Sequence, residues 1–389
     1  MKKTLAALAV LGAFAGSAMA ADVTLYGLVD LGLQYQYQKA DGEDAVHTFK
    51  QTSGQNSGSR FGLKGTEDLG NGVKVGFVLE NGFNADDGKM GQGSRLFGRE
   101  ANLYVTGDFG TLSMGRVGAL SSGVGSYNVV YGNTVFGTGW GDMTGAKGLF
   151  YLGDRDRMDN TVTYVTPSFA GFKVYAQYSF NANGQEDAHT TNNQRYAGLG
   201  AKYDGGPFSA AFVIDTVKNK ASSTNTEDSL GLSASASYDF NVAKVYGMVQ
   251  YGKNENTLGF SISELISEFD VDGEIATGAN EGLKGYAISL GATAPVLGGT
   301  VYAQVNYVDA ETESDVDVTV TDQQYAGSAE AKRYGIAGGY SYPLSKRTTV
   351  YTYASLSQVK YDVTSSNDDA SYDWKKKIGE FGFGLVHKF

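Results

Sequence analysis

The chain has 389 residues and no cysteine, and its 31 basic side chains face 42 acidic ones for a net charge of −11. That balance disfavours nucleic acid, which needs a basic footprint. The missing cysteines exclude thiolate catalysis and cysteine-ligated metals. Glycine (54) and tyrosine (26) are abundant while proline (4) is scarce, a mix that suits curved sheets, tight turns and aromatic girdles.

Met1-Lys2-Lys3, an apolar run from Leu5 to Gly16 and the small-x-small end Ala18-Met19-Ala20 read as a secretory signal peptide over 1–20. The run is too short to span a bilayer, which takes about 20 apolar residues. A single domain over 21–389 is expected to follow. No later stretch reaches the length of a membrane helix. The mean hydropathy of −0.25 does not exclude the membrane, because only alternate residues of a barrel strand face lipid.

The first mature segment sets the pattern. Val23, Leu25, Gly27, Val29, Leu31, Leu33, Tyr35 and Tyr37 share one face; Thr24, Tyr26, Leu28, Asp30, Gly32, Gln34, Gln36 and Gln38 share the other. Alternation marks a strand with unlike faces, and here it outlasts the about 5–6 residues of a soluble strand. The pattern predicts sixteen strands: 23–38, 50–65, 72–83, 95–106, 110–117, 155–167, 171–180, 194–204, 207–217, 229–239, 243–253, 284–294, 299–309, 332–342, 347–359 and 376–389. Seven short connections, rich in Gly, Pro, Asn and Asp, alternate with eight long ones near 39–49, 84–94, 118–154, 181–193, 218–228, 254–283, 310–331 and 360–375. Short turns on one side and long loops on the other are the layout of a transmembrane antiparallel β-barrel. Lipid offers no partner to backbone groups, so the sixteenth strand must close on the first. Sixteen strands leave room for water inside.

Catalysis finds little support. His47 and His189 fall in expected loops and His387 on the outward face of the last strand, with no partner serine in view. Glu268, Asp270, Asp272 and Gly273 echo a calcium loop, but Ala279 stands where the last ligand should be, and a solvated acidic loop is the simpler reading. No cofactor or metal is expected.

Six strings resemble the trimeric general porins of Gram-negative bacteria, above all the beta-proteobacterial type. They are VTLYGLVD (Val23–Asp30), SRFGLKGTEDLGNG (Ser59–Gly72), GFVLENGFN (Gly76–Asn84), RLFGREANLYVTGDFGTLSMGR (Arg95–Arg116), DRMDNTVTYVTPSFAGFKVYAQY (Asp156–Tyr178) and the terminal GFGLVHKF. The resemblance implies an outer-membrane homotrimer set in lipid and lipopolysaccharide, passing small hydrophilic solutes and ions by passive, size-limited diffusion. It implies a third loop folded into each barrel, opposite a ladder of wall arginines. Arg60, Arg99 and Arg157 match that ladder, and Lys64 joins them on the wall. Glu80 matches a lumen acid. Asp142 is the only acid between Val117 and Gly153, so the loop departs from the family's acid-rich form. Phe389, with Phe383 on the same face, matches the terminal assembly signal. A substrate-specific channel and an adhesin remain alternatives.

Parity places Arg60, Lys64, Glu80 and Arg157 inward. It places Arg99 outward, with Phe97, Ala101, Leu103 and Val105; only the resemblance puts it inside. If Arg99 faces in, alternation sends Gly98, Glu100 and Asn102 outward, and Gln51, Ser53, Gln55 and Ser57 share the outward parity of Phe61. Polar residues facing lipid are costly, so these strands are expected to be covered by another subunit.

Overall fold

The computed structural model describes residues 23–142, 155–220, 227–258, 282–313, 316–320, 323–365 and 371–389. The expected leader at 1–20 and the acidic segment around Glu268 lie outside the described residues. What is described is almost entirely one antiparallel sheet that closes on itself.

Sixteen barrel strands run in chain order. They are β1 (Thr24–Ala40), β2 (Val46–Ser53 and Arg60–Gly70), β3 (Val73–Gly82), β4 (Glu100–Gly107), β5 (Gly110–Gly118), β6 (Arg157–Val165), β7 (Phe172–Ser179) and β8 (Arg195–Gly205). Then come β9 (Phe208–Lys218), β10 (Ser229–Asp239), β11 (Lys244–Glu255), β12 (Leu283–Val296), β13 (Gly299–Thr312 and Val316–Val320), β14 (Gln323–Pro343), β15 (Thr348–Ser365) and β16 (Ser371–Lys388). β2 and β13 each consist of two segments along one neighbour: both halves of β2 pair with β1, and both halves of β13 pair with β14. Closure runs from Leu28↔Lys388 to Ala40↔Lys376 between β1 and β16. No edge is left to lipid, which is what a hydrocarbon solvent demands of a sheet.

The alternation read in the sequence is the alternation of the wall. On β9, Phe212 and Ile214 are exposed on the outer face while Val213 and Asp215 are buried on the inner one. On β10, Ser233, Ser235 and Ser237 are buried inside. Phe383 is exposed on the outer face of β16 opposite Leu33. Phe389 extends the seam, exchanging backbone hydrogen bonds of 3.2 and 3.0 Å with Gly27. A Cβ on Gly27 would lie 2.3 Å from the Phe389 ring and 2.6 Å from the Arg60 carbonyl oxygen, so a larger residue here would have to displace the seam.

Three expectations change. The strand expected at 95–106 begins at Glu100. The loops expected at 39–49, 310–331 and 360–375 are largely strand: β1, β2 and β13–β16 continue upward as paired hairpins. Polar, turn-rich composition suggested loop there, yet a strand above the bilayer needs a paired neighbour rather than an apolar face. The polar outer face also shrinks, keeping Gln51 and Ser53 opposite the outward Leu33 and Leu31 but losing the others. Glu100 and Asn102 are buried inside the barrel and bonded to each other. The segment between the halves of β2 turns inward, so Gln55 is buried and the backbone N–H groups of Asn56 and Ser57 reach the Asp30 carboxylate at 2.7 Å.

Candidate functional site

One stretch of the inner wall, from β1 to β6, gathers cations. Arg60 on β2 and Glu80 on β3 are 3.9 Å apart at their charged atoms. The Arg99 guanidinium reaches the same Glu80 at 2.6 Å, and the Tyr26 hydroxyl donates to it at 3.0 Å. Glycines make this meeting possible. A Cβ on Gly82 would lie 3.0 Å from the Arg99 stem, and one on Gly58 would lie 2.8 Å from its guanidinium. Lys64, inward on β2, holds its ammonium 5.3 Å from the centre of the Tyr26 ring, a cation–π distance.

Arg99 faces in although its sequence parity points out. It lies one residue before β4, so the pleat of that strand does not govern it. Its amide bonds the Glu80 carbonyl at 3.2 Å while Glu100 starts the regular alternation. Both Arg99 and Glu100 therefore face the lumen.

A second knot lies beside the first. The pairing of β5 with β6 shifts register between Gly115 and Val117, which frees Arg116 from the regular ladder. Arg116 and Arg95 both bond the Asp159 carboxylate, at 2.6 and 2.7 Å. Arg157 donates to the Arg99 carbonyl at 2.9 Å and pairs with Asp156 at 3.2 Å. Around these contacts stand Arg60, Lys64, Arg95, Arg99, Arg116 and Arg157 against Glu80, Glu100, Asp156 and Asp159, a surplus of two positive charges. Sequence reasoning named Arg60, Lys64, Glu80, Arg99 and Arg157 but missed Arg95, Arg116 and Asp159. The signal was present: Arg95 and Arg116 are the two ends of one of the six strings.

The segment after β5 crosses the interior. Leu120 donates its N–H to the Tyr196 hydroxyl of β8 at 3.2 Å. Val129, Val130 and Tyr131 pack on Val213 of β9 and Met248 of β11 in a buried apolar cluster. Asn133 accepts from Ser237 of β10 at 2.8 Å. The Trp140 ring lies 4.7 Å from that of Tyr302 on β13 and 5.6 Å from that of Tyr351 on β15. Gly141 donates to the Gln55 carbonyl at 2.8 Å. One connection that touches β8 through β15 and returns to β2 must lie inside the barrel. At its root, Arg155 is fully buried between Asp215 at 2.7 Å and Glu255, with Ser229 accepting at 3.1 Å. Ser121 of the loop donates to the other oxygen of Asp215.

Asp142 is not among the arginines' bonded partners. Its carboxylate takes Lys50 at 3.2 Å and Gln36 at 2.9 Å, and its amide donates to Glu380 at 3.0 Å. Glu80 belongs to the arginine wall itself. Among the described residues, the loop therefore brings no free carboxylate to the guanidinium groups.

The model of the Gram-negative porin family matches residues 6–364. The chain belongs to the Gram-negative porin family. An outer membrane porin protein of Bordetella pertussis is 32% identical over 100% of both chains. Outer membrane porin protein 32 of Delftia acidovorans is 33% identical, over 90% of this chain and 88% of its own. An anion-selective porin from Comamonas acidovorans superposes with a TM-score of 0.64 at 26% identity, covering 95% of this chain and 100% of its own. The porin is thus a channel protein of the outer membrane, and the cationic wall lines its lumen.

Proposed function

We propose that the porin passes small hydrophilic solutes by passive, size-limited diffusion, that the loop between β5 and β6 sets its narrowest section, and that it prefers anions. The observation carrying this reading is the charge of the wall opposite a loop whose described residues bring it no free acid. Two surplus positive charges persist after every carboxylate bonded there is counted, and Lys50 already holds Asp142. Charged side chains ringing a pore set ion preference, and a confined lumen strengthens their field. Arg60, Arg99, Arg157 and Lys64 form the positive side. Glu80 trims that charge, and Asp142 anchors the loop. The structure similar to this one that is titled an anion-selective porin supports the same sign.

The porin acts as a homotrimer, delivered after removal of the leader at 1–20, with its outer face in lipid and lipopolysaccharide. Membership of a family that resembles trimeric porins supports this, and Phe389 at the seam fits an assembly signal. Nothing favours catalysis over conduction. Planar-bilayer recording under a salt gradient tests the reading. Openings in threes, a current linear in salt and a reversal potential of anion sign are expected. Single-step openings, a monomer mass in mild detergent or a cation-signed potential would refute the corresponding part.

A further inference from the structure

Between the two halves of β2 the chain leaves the sheet over residues 54–59. β1 pairs with one half up to Leu28↔Arg60 and with the other from Leu31↔Ser53. Val29 and Asp30 stand opposite the gap, and the pleat turns Asp30 inward. Its backbone holds both ends of the excursion. The Asp30 carbonyl accepts from the Gly54 amide at 3.0 Å and the Ser59 hydroxyl at 3.1 Å, and the Asp30 amide donates to that hydroxyl at 3.0 Å. Its carboxylate holds the middle. One oxygen accepts the amides of Asn56 and Ser57, both at 2.7 Å, and the other accepts the Tyr351 hydroxyl of β15 at 2.6 Å. Asp30 is fully buried, and among the described residues it has no ion-pair partner. A buried charge is costly unless hydrogen bonds satisfy it, and bonds to a charged acceptor are roughly twice as strong as neutral ones. The carboxylate therefore grips the turn harder than a neutral side chain would.

The turn so held lies between the two sides of the pore. On one side the tip of the interior loop rests on it. The Gln55 carbonyl accepts the amides of Trp140 and Gly141, the latter at 2.8 Å, and a Cβ on Gly139 would collide with the Asn56 carbonyl oxygen. Trp140 sits at a φ of 72°, a left-handed conformation that a non-glycine residue keeps only where its surroundings impose it. Its ring lies 5.6 Å from that of Tyr351, whose hydroxyl Asp30 holds. On the other side Gly58 lies against the Arg99 guanidinium, 2.8 Å from where a Cβ would stand.

We infer that Asp30 is a positioning residue for conduction: through the turn at 54–59 it fixes the loop tip at its distance from Arg99, and so sets the width of the pore. The inference rests on the reading that the loop between β5 and β6 makes the narrowest section. Loop tip and cationic wall touch the same short turn, so whatever fixes the turn fixes their separation. Because Asp30 is buried, it acts through the turn and not on a solute.

Liposome swelling with neutral sugars, from a pentose to a trisaccharide, reads width without charge. It is carried out on the full-length porin, with thermal unfolding of each variant measured separately. Asp30→Ala leaves both amides without their acceptor and is expected to raise the entry of the larger sugars relative to the pentose. Asp30→Asn keeps an acceptor for both amides and should retain the wild-type size profile. Gly139→Ala pushes the loop tip off the turn without altering a charge, and should shift the profile the same way; it carries the test alone if Asp30→Ala does not fold. The double variant Asp30→Ala/Gly139→Ala should widen the profile no further than the wider single variant, because both break one contact. A wild-type profile for Asp30→Ala would overturn the inference, as would full additivity or an Asp30→Asn profile as wide as that of Asp30→Ala. Trp140→Ala separates the two readings. If it widens the profile while Asp30→Ala and Gly139→Ala do not, the loop sets the width and the turn does not position it. If none of the three changes the profile, the reading of the loop falls and the inference with it.

Discussion

Glu80 is the carboxylate on which the wall's charge turns. It holds Arg99 at 2.6 Å and Arg60 at 3.9 Å, so one acid offsets part of two guanidinium groups. Glu80→Gln keeps the shape and a hydrogen-bond acceptor but raises the surplus from two positive charges to three. A unit charge about 7 Å from the ion path in a water-filled lumen is worth about 0.6 kcal/mol, which is about one RT. Anions gain that amount and cations lose it, so the permeability ratio rises roughly sevenfold in dilute salt. Screening over a Debye length of about 10 Å at ~0.1 M reduces the change to roughly threefold. The assay is the reversal potential across a salt gradient in a planar bilayer, repeated at several mean salt concentrations. The variant should move further toward the anion potential, and the difference should shrink as salt rises. An unchanged potential at low salt would remove Glu80 and its arginines from the ion path. A shift toward cations would refute the sign of the wall.

Two further substitutions probe the interior loop. Arg155→Met leaves Asp215 and Glu255 buried without their cation; breaking a buried pair from one side costs about 3–5 kcal/mol, so the denaturant midpoint of the refolded barrel should fall clearly below wild type. Trp140→Ala empties the aromatic seat formed with Phe136, Tyr302 and Tyr351, at a cost of about 3–5 kcal/mol for a buried aromatic; single-channel current should become larger or noisier, and an unchanged trace would mean that the loop does not set the conductance.

The barrel was legible because one rule governs every strand. Where lipid lies on one side and water or the loop on the other, each residue's polarity reports its direction, and the two faces of β1 read correctly from polarity alone. The rule fails where that contrast ends. Above the bilayer the outer face of β13–β16 carries charge, as at Glu311, Glu330, Asp362 and Asp373, so paired strand and polar loop look alike in composition, and the expected loops at 310–331 and 360–375 are strand for the most part. It fails again where a strand breaks. The inward turn between the halves of β2 carries Gln55 into the interior, to accept the amide of Gly141; periodicity holds no trace of a contact between residues so far apart in the chain.

Arg99 shows how these failures bear on the site. Its outward parity and inward side chain are reconciled by one fact that the sequence lacks, the start of β4 at Glu100. An expected strand from residue 95 imposed alternation on five residues that do not alternate. From that error came the outward placing of Glu100 and Asn102, and with it an apparent polar outer face. Both residues are inside, and Glu100 accepts from Ser126 of the interior loop at 2.5 Å. The polar residues left on the outer face of the early strands are Gln51 and Ser53, so the case for a trimer rests mainly on family and on the mass of the assembly. The same break in the pleat lets Arg99 and Glu100 reach the lumen side by side, one to Glu80 and one to the loop. The residue that defied the pattern is thus the one that ties the cationic wall together, and a regular strand through residue 99 would have turned its guanidinium to the lipid.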